Sequence, residues 1–223
     1  MQIKELKIYS SKIKAQTHFY TQILGLRVLR QSDKNVVLQL GKSILHIAYA
    51  PKTTPYHFAI NIPANQETEA LDWLKAKVKI LTNGSKEIQD FEFWNAKAIY
   101  FYDPDHNIVE LIARKNLNNA SDQKFNADQF LEISEIGLPT HDIEKEFIEL
   151  HTSTGIEIYD GGFSRFCAIG DEHGLFICIN KSVKDWFPTN DKAFSSDFEI
   201  KLTEKGKAYQ ITYKNEELKT VKD

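Results

Sequence analysis

The chain repeats itself at an offset of 130 residues, and this limits its fold more than any other feature. Glu5-Leu6 matches Glu135-Ile136, Ile8 matches Leu138, and Ile13 matches Ile143. Gly25-Leu26 and Val28 match Gly155-Ile156 and Ile158, and with a one-residue slip Leu40-Gly41 matches Ile169-Gly170. Each copy reads as a strand, an amphipathic helix, a Gly-capped break and two or three further strands. Self-similarity of this kind indicates duplicated supersecondary modules.

Local periodicity fills in the first copy. Ile13, Thr17, Tyr20 and Leu24 form a stripe at helical spacing, ended by Gly25. Val36, Leu38 and Leu40 alternate, as do Leu45, Ile47 and Tyr49, with Gly41-Lys42 as the turn between them. Tyr56 to Pro63 is an alternating strand opening on His57, and Leu71, Leu74 and Val78 mark a second helix with Asn65 as a candidate N-cap. Ala98 to Tyr102 and Ile108 to Ile112 read as strands joined by Asp103-Pro104-Asp105-His106-Asn107. Proline presets that turn, and Asn107 suits a left-handed backbone.

Glu110 falls inside this last apolar strand. A carboxylate there is costly unless something pairs with it, and a bound cation is one such partner. The competing reading is an edge strand with Glu110 facing water. His57 has the same two readings, a metal ligand or a hydrogen-bonded structural histidine. The other histidines form no tight ligand spacing.

The order strand, "FYTQILGL" helix, hairpin, "HFAI" strand, helix and "YFYDPDHNIVEL" hairpin resembles the vicinal oxygen chelate superfamily of glyoxalases, bleomycin-resistance proteins and extradiol dioxygenases. The resemblance implies an α+β fold of tandem βαβββ modules in two lobes. Residues 1–114 would be a lobe of two modules carrying the site, 115–129 a polar linker, and 130–223 a second lobe. Only residues 197–223 remain there for a fourth module, with no counterpart of His57, the Asp-Pro turn or Glu110, so that module is expected to be degenerate. The resemblance also implies a divalent-metal site. His57 and Glu110 match two ligand positions, and counting back from Phe19-Tyr20 places the third on Glu5. A Glu, His, Glu set suits Mn²⁺, Fe²⁺, Ni²⁺ or Zn²⁺. Glu5, standing where many members carry His, is expected to act as the catalytic base, with a surface strand carboxylate as the competing reading. Glu135 is assigned a structural or lobe-interface role. The Trp186-Phe187-Pro188-Thr189 segment is read chiefly as an anchor on its own sheet, with covering the cavity of the first lobe as the alternative.

Composition narrows the partners. A net charge of −3 with interspersed Lys and Glu argues against a nucleic-acid surface. No apolar stretch is long enough to span a membrane, and the start has no signal-peptide core. Cys167 and Cys178 lack CxxC spacing, so reduced thiols and a cytoplasmic setting are expected. The partner is then a small-molecule substrate or ligand, and a homodimer is compatible with the sequence. Three functions are open: a metal-dependent lyase, isomerase or ring-cleaving enzyme, a metal-free ligand-sequestering protein, and a regulatory module without catalysis.

Overall fold

The computed structural model describes residues 1–222. The first module comprises β1 (Gln2–Ser10), α1 (Ile13–His18) continued by a wider π turn over Phe19–Ile23, β2 (Arg27–Ser32), β3 (Asn35–Leu40) and β4 (Ser43–Tyr49). The second comprises β5 (His57–Ile62), α2 (Glu67–Lys75), two short strands β6 (Ile80–Leu81) and β7 (Gln89–Phe91), then β8 (Ala96–Tyr102) and β9 (Ile108–Arg114). The third runs through β10 (Glu132–Thr140), α3 (Ile143–Thr154), β11 (Ile158–Gly162), β12 (Phe166–Asp171) and β13 (Gly174–Asn180). Of the fourth, β14 (Phe198–Glu204), β15 (Lys207–Lys214) and β16 (Glu217–Lys222) follow one another with no helix among the described residues.

These modules build two mixed sheets, with strand orders β16-β15-β14-β1-β4-β3-β2 and β11-β12-β13-β10-β5-β9-β8-β6, β7 pairing with β8. The expected division into 1–114 and 130–223 does not follow the sheets. The first module pairs with the degenerate fourth through β1 and β14, and the second pairs with the third through β5 and β10, both antiparallel. Each junction satisfies a row of backbone groups that a lone first strand would leave open.

The repeat is visible in the backbone. Between β1 and β14 the register shifts between Ile3 and Glu5, and between β10 and β5 it shifts between Ile133 and Glu135, the same place 130 residues on. Gly25 (φ +84°) and Gly155 (φ +76°) both take the left-handed conformation that ends the module's helix. Apolar residues on the helix-facing sides of both sheets, among them Leu6, Ile8, Phe58, Ile60 and Ile136, join one core.

Two local expectations are corrected. Within the Asp-Pro turn it is His106 (φ +61°) that adopts the left-handed conformation. Asn107 instead accepts the Tyr56 amide on Oδ1 at 2.8 Å and donates from Nδ2 to Asp103 at 2.8 Å, tying the turn to the start of β5. Asn65 does not cap α2, because its side chain is engaged with the Ser121 backbone. The polar segment after β9 is irregular but anchored, with Phe125 buried against Trp73 and Phe130. Cys167 and Cys178 are free, buried and directly opposite each other on β12 and β13. No helix is long and apolar enough to cross a membrane.

Candidate metal centre and cavity

The second sheet brings His57, Glu110 and Glu135 together from three adjacent strands. The parallel β5–β9 register sets Ala59 beside Glu110, and the antiparallel β5–β10 register sets Ala59 beside Glu135. His57, two residues before Ala59, lies on the same face. One nitrogen of His57 and one oxygen of each carboxylate lie within 4.8 Å of one another, and all three residues are buried. His57 Nε2 is 3.5 Å from Glu110 Oε2 and 3.6 Å from Glu135 Oε2.

The surroundings orient each group. His57 Nδ1 lies 3.1 Å from the Ile108 carbonyl, an acceptor, so Nδ1 carries the proton and Nε2 faces the carboxylates. Arg114, at the end of β9 and wholly buried, donates from Nη2 to Glu135 Oε1, leaving Oε2 turned toward His57. Its Nε donates to Asn61 Oδ1 at 3.2 Å, and its guanidinium stands 5.4 Å over the Trp94 ring. Burial pushes the Glu110 carboxyl well above the usual carboxylate range. The charge of Glu135 adds to this, and Arg114 and the Tyr100 hydroxyl partly offset it.

A cavity of about 390 Å³ opens above this cluster. Its walls are mostly aromatic, including Phe91, Trp94, Tyr100, Phe166, Trp186 and Phe187. Trp186 packs across the sheet junction with its ring 4.9 Å from that of His57, and Phe187 stands 5.9 Å from Tyr100. The segment expected chiefly to anchor on its own sheet therefore covers the cavity between the second and third modules. Gly137 makes room for it, since a Cβ there would come within 2.7 Å of the Trp186 ring.

Comparison with known proteins bears on the fold. Residues 2–111 match the sequence profile of the Glyoxalase/Bleomycin resistance protein/Dioxygenase superfamily. Superposition over the full chain finds a provisionally assigned dioxygenase from Bacillus subtilis (TM-score 0.67, 13% identity, 84% of that chain covered). It also finds a V278E mutant of glyoxalase I from Zea mays (TM-score 0.59, 15% identity, 92% covered). Among proteins of curated function, no sequence matches. Residues 2–111, just under half of the chain, carry the Glyoxalase/Bleomycin resistance protein/Dioxygenase domain, and the whole chain shares the fold of these two structures.

Within that fold the sequence expectations separate. His57 and Glu110 stand in one cluster, but Glu5 does not join them. It lies in the other sheet, where Oε2 accepts from Lys201 at 3.0 Å and Oε1 is 3.4 Å from His46 Nδ1. Glu135, assigned a structural or lobe-interface role, sits on the strand that joins the third module to the second and takes the third position in the cluster. The cause is the module pairing, because β5 has β10 and not β1 as its antiparallel neighbour. Counting back from Phe19-Tyr20 leads to the module position that Glu135 occupies 130 residues on, in the third module.

The first sheet carries a neutralised counterpart of the cluster. Glu5 repeats Glu135, and Glu199 on β14 occupies the register position corresponding to His57. Lys201 holds Glu5, Lys7 and Tyr9 hold Glu199 at 2.8 and 2.6 Å, and Gln210 on β15, opposite Lys201, stands at the position corresponding to Glu110. Lys7 repeats Gly137, so this cleft is lined by a cation where the other is opened by a glycine.

Proposed function

We propose that this protein is a divalent-metal enzyme of the glyoxalase-like branch, acting on a small oxygen-rich metabolite by proton-transfer, isomerase or lyase chemistry. The observation that carries this reading is the buried meeting of one imidazole nitrogen and two carboxylate oxygens at the floor of an apolar cavity. The donors fit an ion. Ligand atoms about 2.0–2.2 Å from a shared metal stand roughly 3.0–3.5 Å apart, close to the 3.5 and 3.6 Å separations here. Two buried carboxylates facing one imidazole nitrogen at these separations are costly without a shared cation or proton.

His57, Glu110 and Glu135 would hold the ion, which when bound would polarise two adjacent substrate oxygens and stabilise an enolate-like charge. Arg114 keeps one oxygen of Glu135 engaged and so restricts it to a single donor. Glu110 has the neutral Tyr100 hydroxyl as its hydrogen-bond partner where Glu135 has a guanidinium, and this lighter restraint suits it to take up and return a substrate proton. Trp186 and Phe187 exclude water from the same space. Two carboxylates and one histidine differ from the two-histidine, one-carboxylate set of iron oxygenases, which favours proton transfer over ring cleavage by dioxygen.

The aromatic walls favour a second reading, a metal-free binder of the bleomycin-resistance type. Elemental analysis of protein purified without a His-tag separates the two. The enzyme reading expects about one equivalent of a first-row divalent metal per chain, with Mn²⁺ affinity lost by tenfold or more in His57→Ala. Protein that takes up no divalent metal in titration would leave the binder.

A further inference from the structure

We propose that Lys184 is a specificity-determining residue of the cavity, and that the ligand is a planar molecule whose anionic group is held by Lys184. This deepens the reading above by naming the ligand's chemistry, but it rests on the cavity and not on the metal.

Lys184 lines the cavity at the end of the turn that follows β13, half-buried, its ammonium 5.9 Å from the centre of the Phe166 ring. Among the described residues no carboxylate, carbonyl or hydroxyl lies within hydrogen-bonding or ion-pairing distance of its Nζ. Most other lysines that are partly buried here do have such a partner, as Lys7 has Glu199 and Lys181 has Glu216. Asp160 also lines the cavity, yet its carboxylate is already committed to the Trp94 indole N–H and the Gly161 amide, each at 2.7 Å. Burial and the nearby Arg165 charge both lower the Lys184 pKa, with Asp185 acting against them, as expected of a cation set in an apolar wall without its counterion.

The remaining walls specify the body of the ligand. Trp94 lies 6.3 Å from Phe166 at a shallow angle of 34°, and Phe187, edge-on to both Phe91 and Tyr100, adds a further aromatic wall. Flat faces select flat molecules, because stacking is lost when the rings are held apart by a bulky skeleton. An anion on such a molecule gains a charge-assisted hydrogen bond from Lys184 that a neutral analogue cannot make.

Two fluorescent probes with the same ring system test this. One is 8-anilinonaphthalene-1-sulfonate, and the other is N-phenyl-1-naphthylamine, which lacks the sulfonate. Binding is measured for the full chain with and without chelator. Lys184→Met should weaken the sulfonate by about tenfold and leave the neutral probe unchanged, while Lys184→Arg retains both. Trp94→Ala should weaken both, locating the probes in the cavity. Equal weakening of the two probes in Lys184→Met, or no change in either, would overturn the proposal. Titration with Mn²⁺ is read separately, so a failed metal site leaves the charge preference standing and a failed charge preference leaves the metal site standing.

Discussion

Glu110 shows how one residue can oppose the stability of the fold that holds it. Its folded carboxyl binds a proton more tightly than in the unfolded chain, first because it is buried and then because Glu135 is close. Between the unfolded value near 4.5 and the raised folded value, the native state therefore carries more protons than the unfolded state. Stability must fall as pH rises through that window. Chelator-treated protein should melt at a lower temperature at pH 8 than at pH 5, and Glu110→Gln should reduce that difference while abolishing tight Mn²⁺ binding. Thermal melts of both proteins at the two pH values in EDTA provide the check. Equal pH dependence in wild type and variant would mean that Glu110 ionises without penalty. Glu110 was legible in the sequence because a lone carboxylate interrupts an apolar strand next to a recognisable turn. His57 was legible because it opens an alternating strand.

At the scale of elements, β10 holds what the sequence did not disclose. All nine of its residues are buried, whereas β1 alternates between buried and half-exposed positions. Two strands related by repetition thus sit in different environments, and local periodicity does not show which strand a third will pair with. The available signal was compositional, since Glu132, Ser134 and Glu135 are polar residues within an apolar strand, as Glu110 is. Lys7 against Gly137 was a second signal, a long cation in one copy and open space in the other. The glycine has a direct consequence. Gly137→Ala would drive a Cβ to 2.7 Å from Trp186, and relieving that overlap should cost about 1–3 kcal/mol and move the indole off His57. The expected result is a lower melting temperature with a red-shifted tryptophan emission. Unchanged melting and emission together would show that Trp186 does not depend on the gap.

The whole molecule is organised by exchange between its halves. The first and second modules lie in different sheets, as do the third and fourth, and each sheet joins a module of the first half to a strand from beyond residue 130. The two-lobe expectation captured the module count and the missing helix of the fourth unit, both of which are local facts. It did not capture the pairing, which is set by edges far apart in sequence. The arrangement also accounts for retention of a degenerate fourth module. Its β14 covers β1, and without it the first sheet would present an open edge to solvent. Residues 1–114 expressed alone should then lack Glu135 and expose both β1 and β5, so the fragment should self-associate or aggregate and bind Mn²⁺ at least tenfold more weakly than the full chain. Adding residues 115–223 as a second polypeptide should restore a one-to-one complex with the affinity of the intact protein. Size-exclusion chromatography with light scattering and Mn²⁺ titration would measure both. A monomeric 1–114 fragment with full metal affinity would place the centre within the first half after all, and would remove Glu135 from it.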